Sequence, residues 1–238
     1  MRIKCVFDTD CLPVAYNMMF VSLIKECLRK IDENYFNRLF YYQGKHNKKS
    51  KNYSFAVGLK NFELNDEVFK IKGSVIFTLS SPDLEFFMNF YNGLLRTDVF
   101  NYKGYTLKRK RIIHVKEKYI TQQQAVFKTL SPICLKNIEG RFLDLEDERY
   151  NQEVAYLADV ILKNFRGYGL KGEIHFEPIN MAKVVVKLDR QLENGDYYKI
   201  NAYRGIFKLT GDMEDLNLLY QLGLSFRRGQ GFGMLEVV

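Results

Sequence analysis

Apolar and polar residues alternate from Arg2 to Phe7, the period-two pattern of a half-buried strand. The period then lengthens. Val14, Met18, Val21, Ile24, Leu28 and Ile31 recur at three- or four-residue steps, which predicts a helix with Pro13 in its first turn. After a tract from Tyr41 to Asn52, Tyr53–Leu59 and Phe69–Leu79 read as strands, the second favoured by Ile71, Val75, Ile76 and Phe77. Ser81 and Pro82 announce another helix, with Phe86, Phe87, Phe90, Tyr91 and Leu94 on its apolar face. Tyr105–Lys118 closes this half as a strand.

The second half repeats the order without repeating the residues. A strand over Ala125–Leu135 and an acidic connector, Glu139–Glu153, precede a helix carrying Val154, Leu157, Ile161 and Phe165 on one face and ended by Gly167 and Gly169. Extended runs follow at Gly172–Phe176, Ala182–Leu188 and Tyr197–Leu209, the first two readable as one interrupted strand. Asp212 is placed to cap a short helix through Leu222, after which Gly223 can take the left-handed position, and Met234–Val238 forms a last strand. Each half reads β-α-β-β-α-β, so the predicted fold class is α+β: two tandem ferredoxin-like domains, residues 1–119 and 120–238.

Charge narrows the partners. The chain carries a net charge of +8, and the excess is clustered, which favours a polyanion. Cys5, Cys11, Cys27 and Cys134 show no zinc or disulfide spacing and read as reduced thiols. The most apolar stretch, Val14–Leu28, is interrupted by Asn17, Ser22, Lys25 and Glu26, and no signal peptide precedes the first strand; a cytoplasmic protein with no membrane partner is expected.

The sharpest motif is G-L-S-F-R-R-G-Q-G-F-G, Gly223–Gly233. Its glycines, Gly223, Gly229, Gly231 and Gly233, permit positive φ and close approach to a ligand, while Arg227 and Arg228 add two cationic forks. A turn using glycine for geometry alone is the plainer account, but the arginine pair favours a phosphate-holding loop. Neither Walker nor dinucleotide spacing fits. The pattern Gly223-Leu224-Ser225, five residues, Gly231-Phe232-Gly233 resembles the C-terminal glycine-rich loop of the repeat-associated RNA-binding superfamily of CRISPR systems, most closely its Cas-six-type endoribonucleases, with Ser225 in place of one glycine. Thr129-Leu130-Ser131-Pro132-Ile133 is similar to a run that opens the second half of that family, and His46 occupies the first long loop. The resemblance implies the same tandem fold and CRISPR repeat RNA as partner; it leaves open other effector subunits and a homodimer, and implies no cofactor.

Between Asn34 and Phe62 there is no Asp or Glu, yet the interval holds Arg38, Lys45, His46, Lys48, Lys49, Lys51 and Lys60. Such a loop attracts phosphate and offers nothing to magnesium. His46, His114 and His175 lie too far apart in sequence to suggest zinc, so a metal-free reaction is expected, in which the RNA 2′-hydroxyl attacks the adjacent phosphorus. That needs a proton-transfer group near neutrality and cations for the developing charge. Histidine suits the first task and Lys48, Lys49 or Lys51 the second; Tyr41, Tyr42 and the more distant Tyr35 add phenols. The resemblance places a catalytic histidine in the loop after the first helix, the position of His46, and Tyr42 and Lys51 are taken as its partners.

The run Lys108-Arg109-Lys110-Arg111 is either a solvated edge strand or a second RNA contact. Simple alternation would put Arg109 and Arg111 on one face, and both are taken as RNA-binding. Tyr41, Tyr42, Phe226 and Phe232 are the stacking candidates among aromatics that otherwise read as core. His114 and His175 are expected to be structural. The resulting expectation is a repeat-cleaving endoribonuclease. Its rivals are a non-catalytic RNA-binding subunit of the same superfamily and a structural protein whose basic surface docks an acidic partner.

Overall fold

The computed structural model describes residues 1–42, 45–47, 49–191 and 197–238, the side chains of Tyr42, His46 and 189–191 excepted. In the first half, β1 (Arg2–Asp8) and β2 (Cys11–Pro13) lead into α1 (Asn17–Ile31) and α2 (Glu33–Phe40), followed by β3 (Tyr41–Tyr42) and β4 (Lys45–His46). Then come β5 (Ser54–Leu59), β6 (Phe62–Asn65), β7 (Val68–Ile71), β8 (Val75–Ser80), α3 (Leu84–Leu95), β9 (Val99–Tyr102) and β10 (Tyr105–His114). The second half runs β11 (Gln124–Thr129), α4 (Tyr150–Arg166), β12 (His175–Gln191), β13 (Tyr197–Thr210), α5 (Met213–Leu222) and β14 (Leu235–Val237).

The principal sheets have the orders β5-β8-β1-β10-β9 and β12-β13-β11-β14. In both, the first strand of the unit lies between its third and fourth, with the second outside the third. That is the ferredoxin-like order, so the expected fold class holds in both halves; β9 is an added edge strand. The alternation of β1 puts Ile3, Cys5 and Phe7 against α1 and α3, where they join Phe20, Phe77 and Phe90 in one core. Phe127, Phe207 and Phe176 play that part beneath α4 and α5.

Several expected boundaries move. Pro13 belongs to β2, paired with Val68, and the helix begins at Asn17. Of the stripe read for α1, Val21, Ile24 and Leu28 fill the core, joined by Phe20, Leu23 and Cys27 that the stripe left out, while Val21 also borders, with Met18, a cleft described below. Helix α2 was not expected, although Asp32 caps it by accepting from the Tyr35 N–H and Tyr35, Phe36 and Phe40 bury one face. The strand expected over Phe69–Leu79 is broken, because the chain folds back between β7 and β8 with Gly73 packed on the Lys60 backbone. The strands expected to reach Lys118 and Leu135 stop at His114 and Thr129, while the runs from His175 to Leu188 are one strand with a register shift between Pro178 and Asn180. Gly167 ends α4, as expected, in a left-handed conformation; Gly223, expected to be left-handed, has φ 80 but ψ 163, an extended conformation outside the left-handed helical region.

A row of buried polar residues helps to join the halves. Arg2, Ser80 and Ser54 occupy one register row across β1, β8 and β5, and all three are buried. Arg2 donates to the Tyr220 carbonyl at 3.1 Å, pairs with Glu236 at 3.2 Å and stacks its guanidinium 4.2 Å from the Tyr220 ring centroid. A buried cation with those partners is costly to disturb.

Candidate functional site

Two loops from opposite halves meet in a cleft of about 880 Å³. Asn47, Lys49, Ser50 and Lys51 line it from the first half and Ser225–Gln230 from the second. Helix α1 contributes Met18, Val21 and Lys25, one face at three- and four-residue steps, and α4 contributes Leu157, Val160, Ile161 and Asn164. Leu157, read on the apolar face of its helix, packs against the second core and also lies on this wall. No carboxylate is part of the lining among the described residues.

The basic loop is anchored by Asn47, a residue that sequence analysis passed over. Its N–H donates to the Phe40 carbonyl (2.8 Å), its amide to the Leu39 carbonyl (3.2 Å), and its Oδ1 accepts from the Lys49 N–H (3.0 Å). These bonds close the exposed C-terminal carbonyls of α2. Lys51 Nζ donates to the Asn47 carbonyl at 3.1 Å, and its ammonium lies 5.6 Å from the Phe40 ring centroid. Half burial, and then the charge of Lys25, push the Lys51 pKa down to about 8. β3 and β4 pair Tyr41 with His46 and Tyr42 with Lys45 along the backbone. The side chains of Tyr42 and His46 lie outside the described residues, as does Lys48 entirely.

The glycine-rich loop is built differently. Gly231 and Gly233 adopt φ 82 and 68, and a Cβ at Gly231 would come within 2.7 Å of Asn17 Nδ2 and 2.9 Å of the Phe55 ring. At Gly233 it would meet the Leu224 carbonyl at 2.5 Å, and at Gly223 the Gly233 carbonyl at 2.7 Å and Ser54 Cβ at 2.8 Å. Asn17 Nδ2 donates to the Gln230 carbonyl at 2.7 Å. Ser225, in place of an expected glycine, is buried; its hydroxyl accepts from the Cys134 N–H and donates to the Phe226 carbonyl. Gly223 and Gly231 serve the seam between the halves, and Gly233 the loop's own turn.

The two arginines separate. Arg228 is only 4% exposed, donating to the Leu222 carbonyl (2.7 Å) and to Ser50 Oγ (2.5 Å), and burial lowers its pKa to about 10. Of the two cationic forks expected to hold phosphate, Arg228 thus ties the glycine-rich loop to the basic loop. Arg227, half-buried and itself at φ 65, donates to Gln230 Oε1 and lies 5.5 and 5.6 Å from the Phe226 and Tyr198 ring centroids. Phe226 and Tyr41 are exposed, whereas Phe232 is fully buried and cannot offer a stacking face.

The second basic run is also rearranged. β1 pairs Val6 with Arg111 and Phe7 with Arg109, so Lys110 is an extra residue in a β-bulge. Arg109 and Arg111 therefore point to opposite faces, not to one. Arg109 donates to the carbonyls of Thr97 and Leu95 and pairs with Asp98, fastening the end of α3, while Arg111 is exposed. Neither lines the cleft. His114 packs its ring 5.0 Å from that of Tyr91, and His175 Nδ1 lies 2.6 Å from Asn151 Nδ2. Cys5, Cys27 and Cys134 are buried, Cys11 partly, and all four are free. Among the described residues, no helix is long and apolar enough to cross a membrane.

Residues 115–237 match the family described as CRISPR associated protein Cas6, C-terminal. The chain is 27% identical over 250 residues to the CRISPR-associated endoribonuclease Cas6 1 of Methanocaldococcus jannaschii, covering 99% of this chain and 92% of that protein. Among solved structures, a Cas6-related protein from Pyrococcus furiosus superposes with a TM-score of 0.85 at 20% identity, covering 100% of this chain and 98% of that one. A protein described as a RAMP protein binding different RNA substrates gives 0.84 at 19% identity, covering 100% and 99%. Fold and loop together define a tandem ferredoxin-like protein with a glycine-rich loop in its second half. The chain belongs to the Cas6 family of CRISPR-associated proteins.

Proposed function

We propose that this chain is a metal-independent endoribonuclease that binds CRISPR precursor RNA and cuts within its repeats to release guide units. Residues 1–119 form the domain with the cleavage loop and 120–238 the domain with the RNA-holding loop. The observation that carries the proposal is the shared cleft: a loop of lysines faces a glycine-rich loop with an arginine, across a lining without carboxylates among the described residues. The naming of the M. jannaschii relative as an endoribonuclease supports the same substrate class.

Fixed cations and backbone N–H groups suit a phosphate chain, and the chemistry needs little more. The 2′-oxygen attacks phosphorus as its proton passes to His46; the bond to the 5′-oxygen breaks, and a proton is delivered to that oxygen, leaving a 2′,3′-cyclic phosphate. Lys51 stands where charge develops on the phosphate, with Tyr42 as the third member of the centre. Lys48, Lys49 and Arg227 hold neighbouring phosphates beside Gly229, and Arg228 with Gly223, Ser225, Gly231 and Gly233 keeps the loop in shape.

The test is cleavage of a repeat RNA in excess EDTA. The expected result is an unchanged single-turnover rate, with a cyclic phosphate or its 3′-phosphate hydrolysis product, and no cut when the scissile 2′-hydroxyl is replaced by hydrogen. Complete loss of cleavage in EDTA overturns the metal-independent mechanism. Tight binding with no cleavage in any buffer makes the chain a non-catalytic RNA-binding subunit.

A further inference from the structure

Lys25 interrupts the apolar run of α1, and the fold gives that interruption a place. Its ammonium lies 5.0 Å from the Phe40 ring centroid, the ring that Lys51 approaches from the basic loop at 5.6 Å. Both lysines line the cleft, and among the described residues neither ion-pairs with a carboxylate. Two cations near one aromatic ring repel each other, as the lowering of the Lys51 pKa, by burial and then by the charge of Lys25, reflects, and an anion that both approach relieves that repulsion. Building on the function proposed above, we propose that Lys25 and Lys51 together seat the phosphate at the cleaved bond, Lys25 acting as the second cation of the reaction.

The surroundings fit this assignment. Around Lys51 stand Lys25 with Arg29 behind it on α1, Lys49 in the same loop, Arg227 and Arg228 on the glycine-rich loop, and the buried phenol of Tyr53. Helix α4 adds Leu157, Val160, Ile161 and Asn164, none of which titrates. Burial, and then Arg29, also hold Lys25 below the usual lysine range. With Lys51 titrating at about 8, the free protein near that pH holds it partly unprotonated. An arriving phosphate favours the charged form, so binding takes up protons.

The experiment titrates inorganic phosphate into the full-length protein with ¹³C-labelled lysine side chains, the two resonances being assigned with Lys25→Met and Lys51→Met. Both Cε signals should move along one saturation curve, and calorimetry at pH 8 in buffers of different ionisation enthalpy should show proton uptake. Lys25→Met, which keeps an apolar stem on Phe40, should weaken phosphate binding about tenfold, raise the Lys51 titration midpoint and reduce the uptake. Lys25→Arg should restore binding. Single-turnover cleavage should fall about tenfold in Lys25→Met and recover in Lys25→Arg. A Lys25 signal that ignores phosphate, or a Lys25→Met protein with wild-type phosphate affinity or cleavage rate, overturns the proposal. A wild type that never cleaves defeats the proposed function instead, and the phosphate titration still decides the seat.

Discussion

The two loops that meet in the cleft are built on opposite principles. The glycine-rich loop is shaped by what it cannot accommodate: Gly223, Gly231 and Gly233 have positive φ, and any Cβ there would strike Ser54, Phe55 or the loop's own backbone. Its most buried cation, Arg228, is spent on Leu222 and Ser50. The basic loop is held chiefly through one residue, Asn47, on the end of α2, and leaves Lys49 and Lys51 facing the cleft. One loop is a rigid wall and the other a bearer of side-chain chemistry. A motif rich in glycine and arginine can thus owe most of its composition to packing, while the chemistry sits on residues with no motif at all.

The largest effect that would sharpen this division is expected at His46. His46→Ala should lower the single-turnover rate by about 10²- to 10⁴-fold while RNA affinity stays within about threefold, because a neutral imidazole moves a proton but adds little attraction. A variant cutting at the wild-type rate would move the chemistry elsewhere. On the wall side, Gly233→Ala should cost about 3 kcal/mol of folding stability, read as a lowered urea midpoint, since strain and backbone collision add. Gly229→Ala is the control: its Cβ comes no nearer than 3.4 Å to Tyr53, and stability should change by about 0.5 kcal/mol or less. Equal effects at the two glycines would break the comparison.

Arg228→Met should cost about 2 kcal/mol, because the Leu222 carbonyl and Ser50 lose their donor, and both RNA affinity and cleavage should fall as the loops part. The smallest effect belongs to Arg227→Ala. Its stability should barely change, while the log–log salt dependence of single-stranded RNA binding flattens by about 0.7, one phosphate contact. A large stability loss with an unchanged salt slope would make Arg227 part of the wall as well.

Much of the fold was legible because its signals are local. The alternation of Arg2–Phe7, the Asp212 cap and the glycine stop after α4 depend on residues close in sequence, and the structure keeps all three. The errors arose where tertiary contacts decide. Nothing within Lys108–Arg111 announces a bulge, since it is defined by register against Val6 and Phe7, and so Arg109 and Arg111 were read onto one face. Arg228 looked like a phosphate fork because its acceptors are a carbonyl at the end of α5 and a hydroxyl far away in the chain. Leu157 and Val21 both belong to apolar helical stripes and both pack on a core, and periodicity alone does not show that they also border the cleft. Asn47 was missed together with α2: once the Asp32 cap and the apolar face of Tyr35, Phe36 and Phe40 are read as a helix, an asparagine soon after it is a partner for its terminal carbonyls.

The seam has a consequence for the order of folding. Ser50 and Arg228 are 178 positions apart, Asn17 and Gln230 213, Arg2 and Glu236 234. Each half can collapse around its own phenylalanines through much shorter loops, whereas the cleft exists only after these three long closures are made. Refolding should therefore regain helix and core before it regains a place for a phosphate, and a chain caught between those stages would have two nearly complete domains and no site.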